Sequence, residues 1–275
     1  MSTQYLLGTC IRFPSIIRSY LKLTSFFKLN ENYTIKIETD RYLLKTANHY
    51  SEIFQLLLLR YRNFLSRSGT FMSFGIDLDE FDSTCDHLIV IDKVKKKICG
   101  TYRLRASTYT DIFYSENEFD LNDFLKIPGI KLELGRACID KQCRDGAVIN
   151  LLWKGIGLYA KKSQARFLFG CSSIKTLNKD IASSYYRYFK ANNLIGTKYK
   201  IFPLPQYKEN LDCSKELINN IKIELPPLLR TYLAGGAKIY GSPAFDYSFK
   251  CIDFLTILDL NQLNLSFKRR FFKEI

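Results

Sequence analysis

Four spaced pairs stand out in the chain: Arg60-x-x-x-Phe64, Asp79-x-x-Asp82, Gly100-x-x-Arg103 and Glu133-x-x-Arg136. Each brings a definite chemistry. A glutamate can accept a proton. Paired aspartates can hold a cation, and an arginine fork can pair with a carboxylate. Such charges are poor core filler, because an unpaired buried charge is costly. They suit a polar site beside an acyl-chain slot.

A fifth feature is CRDGAVINLLWKG at 143–155. The strand-like KLELGRACID runs through Arg144-Asp145-Gly146-Ala147 into a helix. Backbone N–H groups at a helix start, with the helix dipole, can hold a phosphate. Arg144 adds charge, and the small Gly146 and Ala147 permit close approach. That suits the phosphate of a pantetheine arm. An ordinary strand-to-helix turn carries the same local pattern.

The elements that must position these residues follow from periodicity. Residues 14–28 read as an amphipathic helix with Ile16, Ile17, Tyr20, Leu23 and Phe27 on one face. It either lies on anionic lipid or packs on its own domain. Strands are expected at 33–37 and 42–46. A helix capped near Asn48 and running to Leu65 puts Arg60 and Phe64 on its apolar stripe with Ile53, Leu56 and Leu57. There Arg60 is either half of a structural ion pair or a substrate-facing group.

Strands at 87–92 and 98–107 form a hairpin across a lysine-rich turn, with Thr101, Arg103 and Arg105 on one side. A short polar connector fills 113–126. Strands at 131–140, 166–173 and 251–258 alternate with helices at 146–162, 179–192 and 228–233, around a polar insertion at 197–225. A hairpin followed by strand–helix–strand–helix predicts an α/β fold with a central mixed sheet and helices on both faces. No GxGxxG follows the first strand, so a Rossmann fold is not expected. On an ideal strand Glu133 and Arg136 point to opposite faces. A bulge at Gly135 would bring them together; without it one of the two is structural.

Composition narrows the classes. The chain is 47% hydrophobic and 15% aromatic, which argues against disorder. No apolar run reaches membrane-spanning length, and no secretory leader is expected. Eight cysteines lack CxxC spacing and read as reduced, small hydrophobes of a cytoplasmic protein. The two histidines, His49 and His87, belong to no ligand motif. Neither a metal site nor a histidine-based triad is expected. A net charge of +14 points to an acidic partner: nucleic acid, an anionic bilayer or an acidic protein. The basic residues are dispersed and no nucleic-acid-binding motif appears, so no nucleic-acid partner is expected.

The runs DLDEFDSTCDHLIVID, GTYRL, FYSENEFDL, LELGRACI, CRDGAVINLLWKGI and FGCSS, with the C-terminal LPPLLRTYLAGGAKIYGSPAFDYSFKCIDFLTIL, give the chain a family likeness. Over about residues 40–260 it resembles the GNAT-type acyltransferases that N-acylate ornithine, a hemolysin-like family. The paired residues also resemble the acyl-homoserine-lactone synthases, which share the fold. The resemblance implies a GNAT-like acyl-CoA N-acyltransferase fold, an acyl-ACP donor and an amino-acid acceptor. The product would be a lyso-ornithine lipid precursor. No cofactor is implied beyond the 4'-phosphopantetheine thioester as co-substrate.

Arg60, Phe64, Asp79, Asp82, Arg103, Glu133 and Arg136 match the family's site pattern. Glu133 is the candidate base, with Arg136 beside it. Backbone N–H groups around Arg136, Ala137 and Cys138 would align pantetheine, and Arg144, Gly146 and Ala147 would hold its phosphate. Asp79 and Asp82 would bind a cationic side chain, while Arg60 or Arg103 pairs its carboxylate. Val148 replaces the second glycine of the usual pyrophosphate motif, which favours a single pantetheine phosphate over coenzyme A. The expected layout is an N-terminal extension at 1–30, an acyltransferase domain at 31–260 and a basic tail at 261–275. Acyl carrier protein is the expected partner, with peripheral contact at the inner face of the membrane.

Overall fold

The computed structural model describes residues 31–64, 75–211 and 223–273. The amphipathic helix expected at 14–28 lies outside them. In chain order the elements are β1 (Lys36–Glu38), β2 (Tyr42–Thr46), α1 (Tyr50–Phe64), β3 (Asp86–Asp92), β4 (Lys97–Ala106), β5 (Phe119–Asp120), α2 (Asn122–Leu125) and β6 (Ile130–Ile139). There follow α3 (Ala147–Lys162), β7 (Ala165–Ile174), α4 (Lys179–Ala191), β8 (Phe202–Pro203), α5 (Pro227–Gly235), β9 (Lys238–Asp246), β10 (Cys251–Asp259) and α6 (Leu265–Phe271). The described residues fall into two compact units, one from within 1–104 and 136–159, the other from within 105–135 and 160–275. Strands β4 and β6 each pass from one unit to the other.

In the first unit the strands run β1-β2-β3-β4-β6. The β2–β3 and β3–β4 pairs are antiparallel, and His87 lies opposite Arg103. Alternation along β3 sends neighbours to opposite faces. Ile89 packs with Ile53, Leu56 and Leu57 of α1. Leu88 and Leu44 meet α3 on the other side, so closely that a Cβ at Gly155 would lie 2.8 Å from Leu44. Tyr159 of α3 anchors there through its hydroxyl, which donates to Asp86 at 2.7 Å. Helices thus cover both faces, as the periodicity predicts.

In the second unit the order is β6-β7-β10-β9. The β6–β7 pairing is parallel and covers Ile130–Glu133, whereas β10 is antiparallel to both β7 and β9. Ile252 and Phe254 face α4 and α5, packing on Tyr185, Phe189 and Leu229. Leu255 and Ile257 face the opposite way. They join Phe167 and Phe169 under a lid of Phe113, Phe119, Phe124, Tyr199 and Ile201. The stretch read as a polar connector is therefore a folded aromatic cover. Part of the segment read as a basic tail forms α6, whose Phe267 packs beside Gly235.

Candidate functional site

The α1 stripe delivers Arg60 into the first unit with only 1% of its surface exposed. Its Nε donates to Asp77 at 2.7 Å, and its two Nη atoms grip Asp82 at 2.7 and 3.1 Å. Arg103, inward on β4, donates to both Asp79 oxygens at 2.6 and 2.7 Å and to Asp82 at 3.1 Å. Arg136 completes the cluster by donating to Asp79 at 2.9 Å. The backbone N–H of Asp79 also donates to Asp82 at 2.9 Å, which ties the acidic turn to itself. Three guanidinium groups thus meet three carboxylates.

The electrostatics follow from that match. Burial opposes ionisation of Asp82, but Arg60 and Arg103 overrule it and hold the carboxyl far below the usual range. For Asp79, burial and the Asp82 charge push up, yet Arg103 and Arg136 win and its pKa falls. His87 packs against the cluster, its Nε2 3.1 Å from the Asp82 carbonyl. Burial, reinforced by the Arg60 and Arg103 charges, drives its pKa down to about 4 against the pull of Asp82. It is neutral at pH 7 and donates from Nε2.

The geometry bears on the expected division of labour. Asp82 and Arg60 are paired with each other and buried. Of the two aspartates read as cation-binding, only Asp79 keeps some exposure, 21% of its side chain. Asp77 escaped the sequence reading, although FGIDLDEFD displays it beside the other two. Phe64 packs half-buried on the α1 core.

Arg136 adopts φ +51° within β6. A left-handed conformation is uncommon for a residue with a Cβ and marks a strained position. Beyond it, Ala137 is half-buried and Cys138 is buried, its thiol pushed up to about 12 by burial. Arg144 is exposed and donates to the Ile139 carbonyl and to Asn63. Gly146 turns the chain into α3 at φ +90°, with open space where a Cβ would sit. The N–H of Ala147, however, donates to the Asp145 carboxylate at 3.0 Å. The helix start already holds one anionic group of its own.

In the second unit the Glu133 carboxylate, 5% exposed, accepts three hydrogen bonds. Tyr114 N–H donates to Oε2 at 2.8 Å, while Ser115 N–H and the Ser115 hydroxyl both donate to Oε1 at 2.7 Å. The donors come from a 3-10 turn, Tyr114–Asn117. Sequence reasoning missed Tyr114 and Ser115. The FYSENE run carried a signal, since a tight turn presents successive N–H groups to an anion.

Asp246, Cys251 and Asp253 form the one buried grouping with metal-ligand atoms found among the described residues. Asp246 accepts from Ser248 and Phe249 N–H, and Asp253 from Ser173 and Cys251. Those bonds make it a turn-capping cluster.

Residues 59–154 match the Acetyltransferase (GNAT) domain family, which spans the Arg60–Asp82–Arg103 cluster, Glu133 and the start of α3. The chain is 30% identical over 200 residues to L-ornithine N(alpha)-acyltransferase of Agrobacterium fabrum, covering 68% of each protein. It is 30% identical over 201 residues to the enzyme of that name from Brucella abortus, covering 68% of this chain and 72% of the relative. Among solved structures it is similar to the AHL synthase LasI, with 10% identity, coverage of 88% and 96%, and a TM-score of 0.47. The molecule is thus an N-acyltransferase of the GNAT class. Within that class it belongs to the L-ornithine N(alpha)-acyltransferase family.

Proposed function

We propose that this enzyme transfers an acyl chain from an acyl-ACP thioester to the α-amine of ornithine, forming a lyso-ornithine lipid precursor. The observation that carries the acceptor is the match over two thirds of relatives named for it. Chemistry favours the α-amine: its pKa is near 8, against about 10 for a side-chain amine, so it is the easier one to deprotonate at neutral pH.

In this reading the neutral nitrogen attacks the thioester carbonyl. Glu133 accepts the proton, directly or through one water, and the C–S bond breaks with its electron pair on sulfur. The proton then passes to the departing pantetheine thiolate. Backbone N–H groups of β6 near Arg136, Ala137 and Cys138 serve to align the pantetheine amides and polarise the carbonyl. Supporting this, those residues lie beyond Glu133, where the β6–β7 register ends. The start of α3, with Arg144 and Gly146, serves the phosphate. Holding both reactants in place supplies much of the rate, roughly 7–11 kcal/mol in favourable cases. The unit 1 charge cluster ties α1, β4 and the Arg136 end of β6 to the Asp77–Asp82 segment.

The test is mass spectrometry of products after incubation with acyl-ACP and mixed amino acids. N-acyl-ornithine is expected as the main product. A different N-acyl amino acid would retain the reaction and replace the acceptor. No amide product with any acyl-ACP donor would remove the proposal.

A further inference from the structure

Ser115 has no part in the reaction as written above, yet its hydroxyl is aimed at the group that does. It is 1% exposed, sits in the same unit as Glu133 and donates to Oε1 at 2.7 Å. Behind it the Cys171 thiol donates to the Ser115 oxygen at 3.5 Å. That thiol faces the hydroxyl from β7, where burial first, then the Glu118 and Asp253 charges, keep it protonated. The chain Cys171–Ser115–Glu133 therefore has a defined donor order while Glu133 is ionised.

The three donors to Glu133 are not equivalent. The N–H groups of Tyr114 and Ser115 can only donate, so each can face a lone pair of Glu133 but neither can accept from an O–H formed there. A hydroxyl is both donor and acceptor and can rotate. It alone can satisfy Oε1 before proton uptake, by donating, and after it, by accepting from the new O–H. We propose that Ser115 is a positioning residue for proton transfer, holding Oε1 of Glu133 in place as the site of proton uptake and reversing its hydrogen bond when the proton arrives. In that step the amine N–H bond breaks, the Oε1–H bond forms and the Ser115 hydroxyl turns to accept it. The inference rests on Glu133 being the base.

The experiment is a double-mutant cycle with Ser115→Ala and Glu133→Gln, read as kcat and KM for both substrates. Loss of a hydroxyl bonded to a charged group corresponds to about a 10- to 100-fold effect, expected here in kcat with both KM values little changed. In the Glu133→Gln background the same substitution is expected to cost almost nothing further. Ser115→Thr, which keeps the hydroxyl, is expected to hold kcat within about a few-fold. If Ser115→Ala leaves kcat intact while Glu133→Gln abolishes it, the positioning role is wrong and the base stands. If Glu133→Gln itself leaves kcat unchanged, both fall together. Equal losses in the two backgrounds, or a folded Thr variant as slow as Ala, would show that Ser115 merely braces the turn. Should the Ala variant not fold, Cys171→Ala tests the same chain from its far end. It is expected to lower kcat about two- to five-fold only when Glu133 is present, as loss of one weak neutral hydrogen bond implies; no such dependence overturns the proposal.

Discussion

Arg60 shows why a charge in an apolar stripe carries information. On the sequence it stands among Ile53, Leu56 and Leu57, where a buried guanidinium needs partners. The structure supplies Asp77 and Asp82. Removing one side of such a pair strands the other, so Asp82→Asn is expected to destabilise the protein by about 3–5 kcal/mol. The folded fraction should keep its KM for the amino acid. Denaturant unfolding alongside steady-state kinetics checks both, and a raised KM with unchanged stability would return Asp82 to substrate recognition. His87 gives the pH dependence of the same cluster. Unfolded, it binds a proton near pH 6.5; folded, only near 4. Its contribution is present above pH 6.5 and is lost as the pH falls towards 4. The whole window is worth at most about 3 kcal/mol. His87→Gln keeps a donor but does not titrate, so its unfolding free energy is expected to vary less with pH across that window. Partner choice was what the sequence withheld: Arg60 announced a need for a counter-charge, but Asp77 and Asp82 were not distinguished from substrate.

At the scale of elements, long periodic segments were legible and short ones were not. The stripe of α1, the β3–β4 hairpin and the strand–helix run from β6 to α4 all declare themselves over ten or so residues. Strand β9 did not, because Gly241 and Pro243 are poor strand formers; it lies at the sheet edge, where proline is tolerated. The two-residue β5 pairs with β8, some eighty residues on, and no local pattern encodes that. Packing distance is also invisible in sequence. A Cβ at Gly100 would lie 2.5 Å from Val148 Cγ1, so β4 and the first turn of α3 touch through a glycine. Gly100→Ala is expected to cost about 1–3 kcal/mol, measurable by thermal melting. The same turn holds the Asp145 carboxylate against the Ala147 N–H. Asp145→Ser keeps a capping oxygen and removes the negative charge. If a donor phosphate binds there, its KM is expected to fall roughly two- to five-fold, the scale of a charge at a helix end. An unchanged or higher KM would take the start of α3 out of donor binding.

For the whole molecule the question is where the +14 resides. Arg60, Arg103 and Arg136 are matched by Asp77, Asp79 and Asp82, so the inner cluster adds nothing to the sum. The excess lies outside that cluster: Lys93, Lys95 and Lys96 are exposed at the β3–β4 turn, as are Lys268, Arg269 and Arg270 on α6. No helix among the described residues is long and apolar enough to cross a membrane, so the charge does not flank a span there. Under the proposed function the charge would serve docking of an acidic partner, and acyl carrier proteins are acidic as a family. Charge steering accelerates encounter and fades as salt shortens the screening length from about 30 Å at 0.01 M to about 10 Å at 0.1 M. The expected result is a kcat/KM for acyl-ACP that falls several-fold over that range while kcat stays level, since chemistry follows docking. A small acyl-pantetheine donor, which has no acidic protein attached, should show a much flatter dependence. Rate measurements with both donors at matched pH separate the two cases. Equal salt sensitivity for the small donor would place the effect inside the site, and a flat response for acyl-ACP would assign the charge to another acidic surface, such as an anionic bilayer.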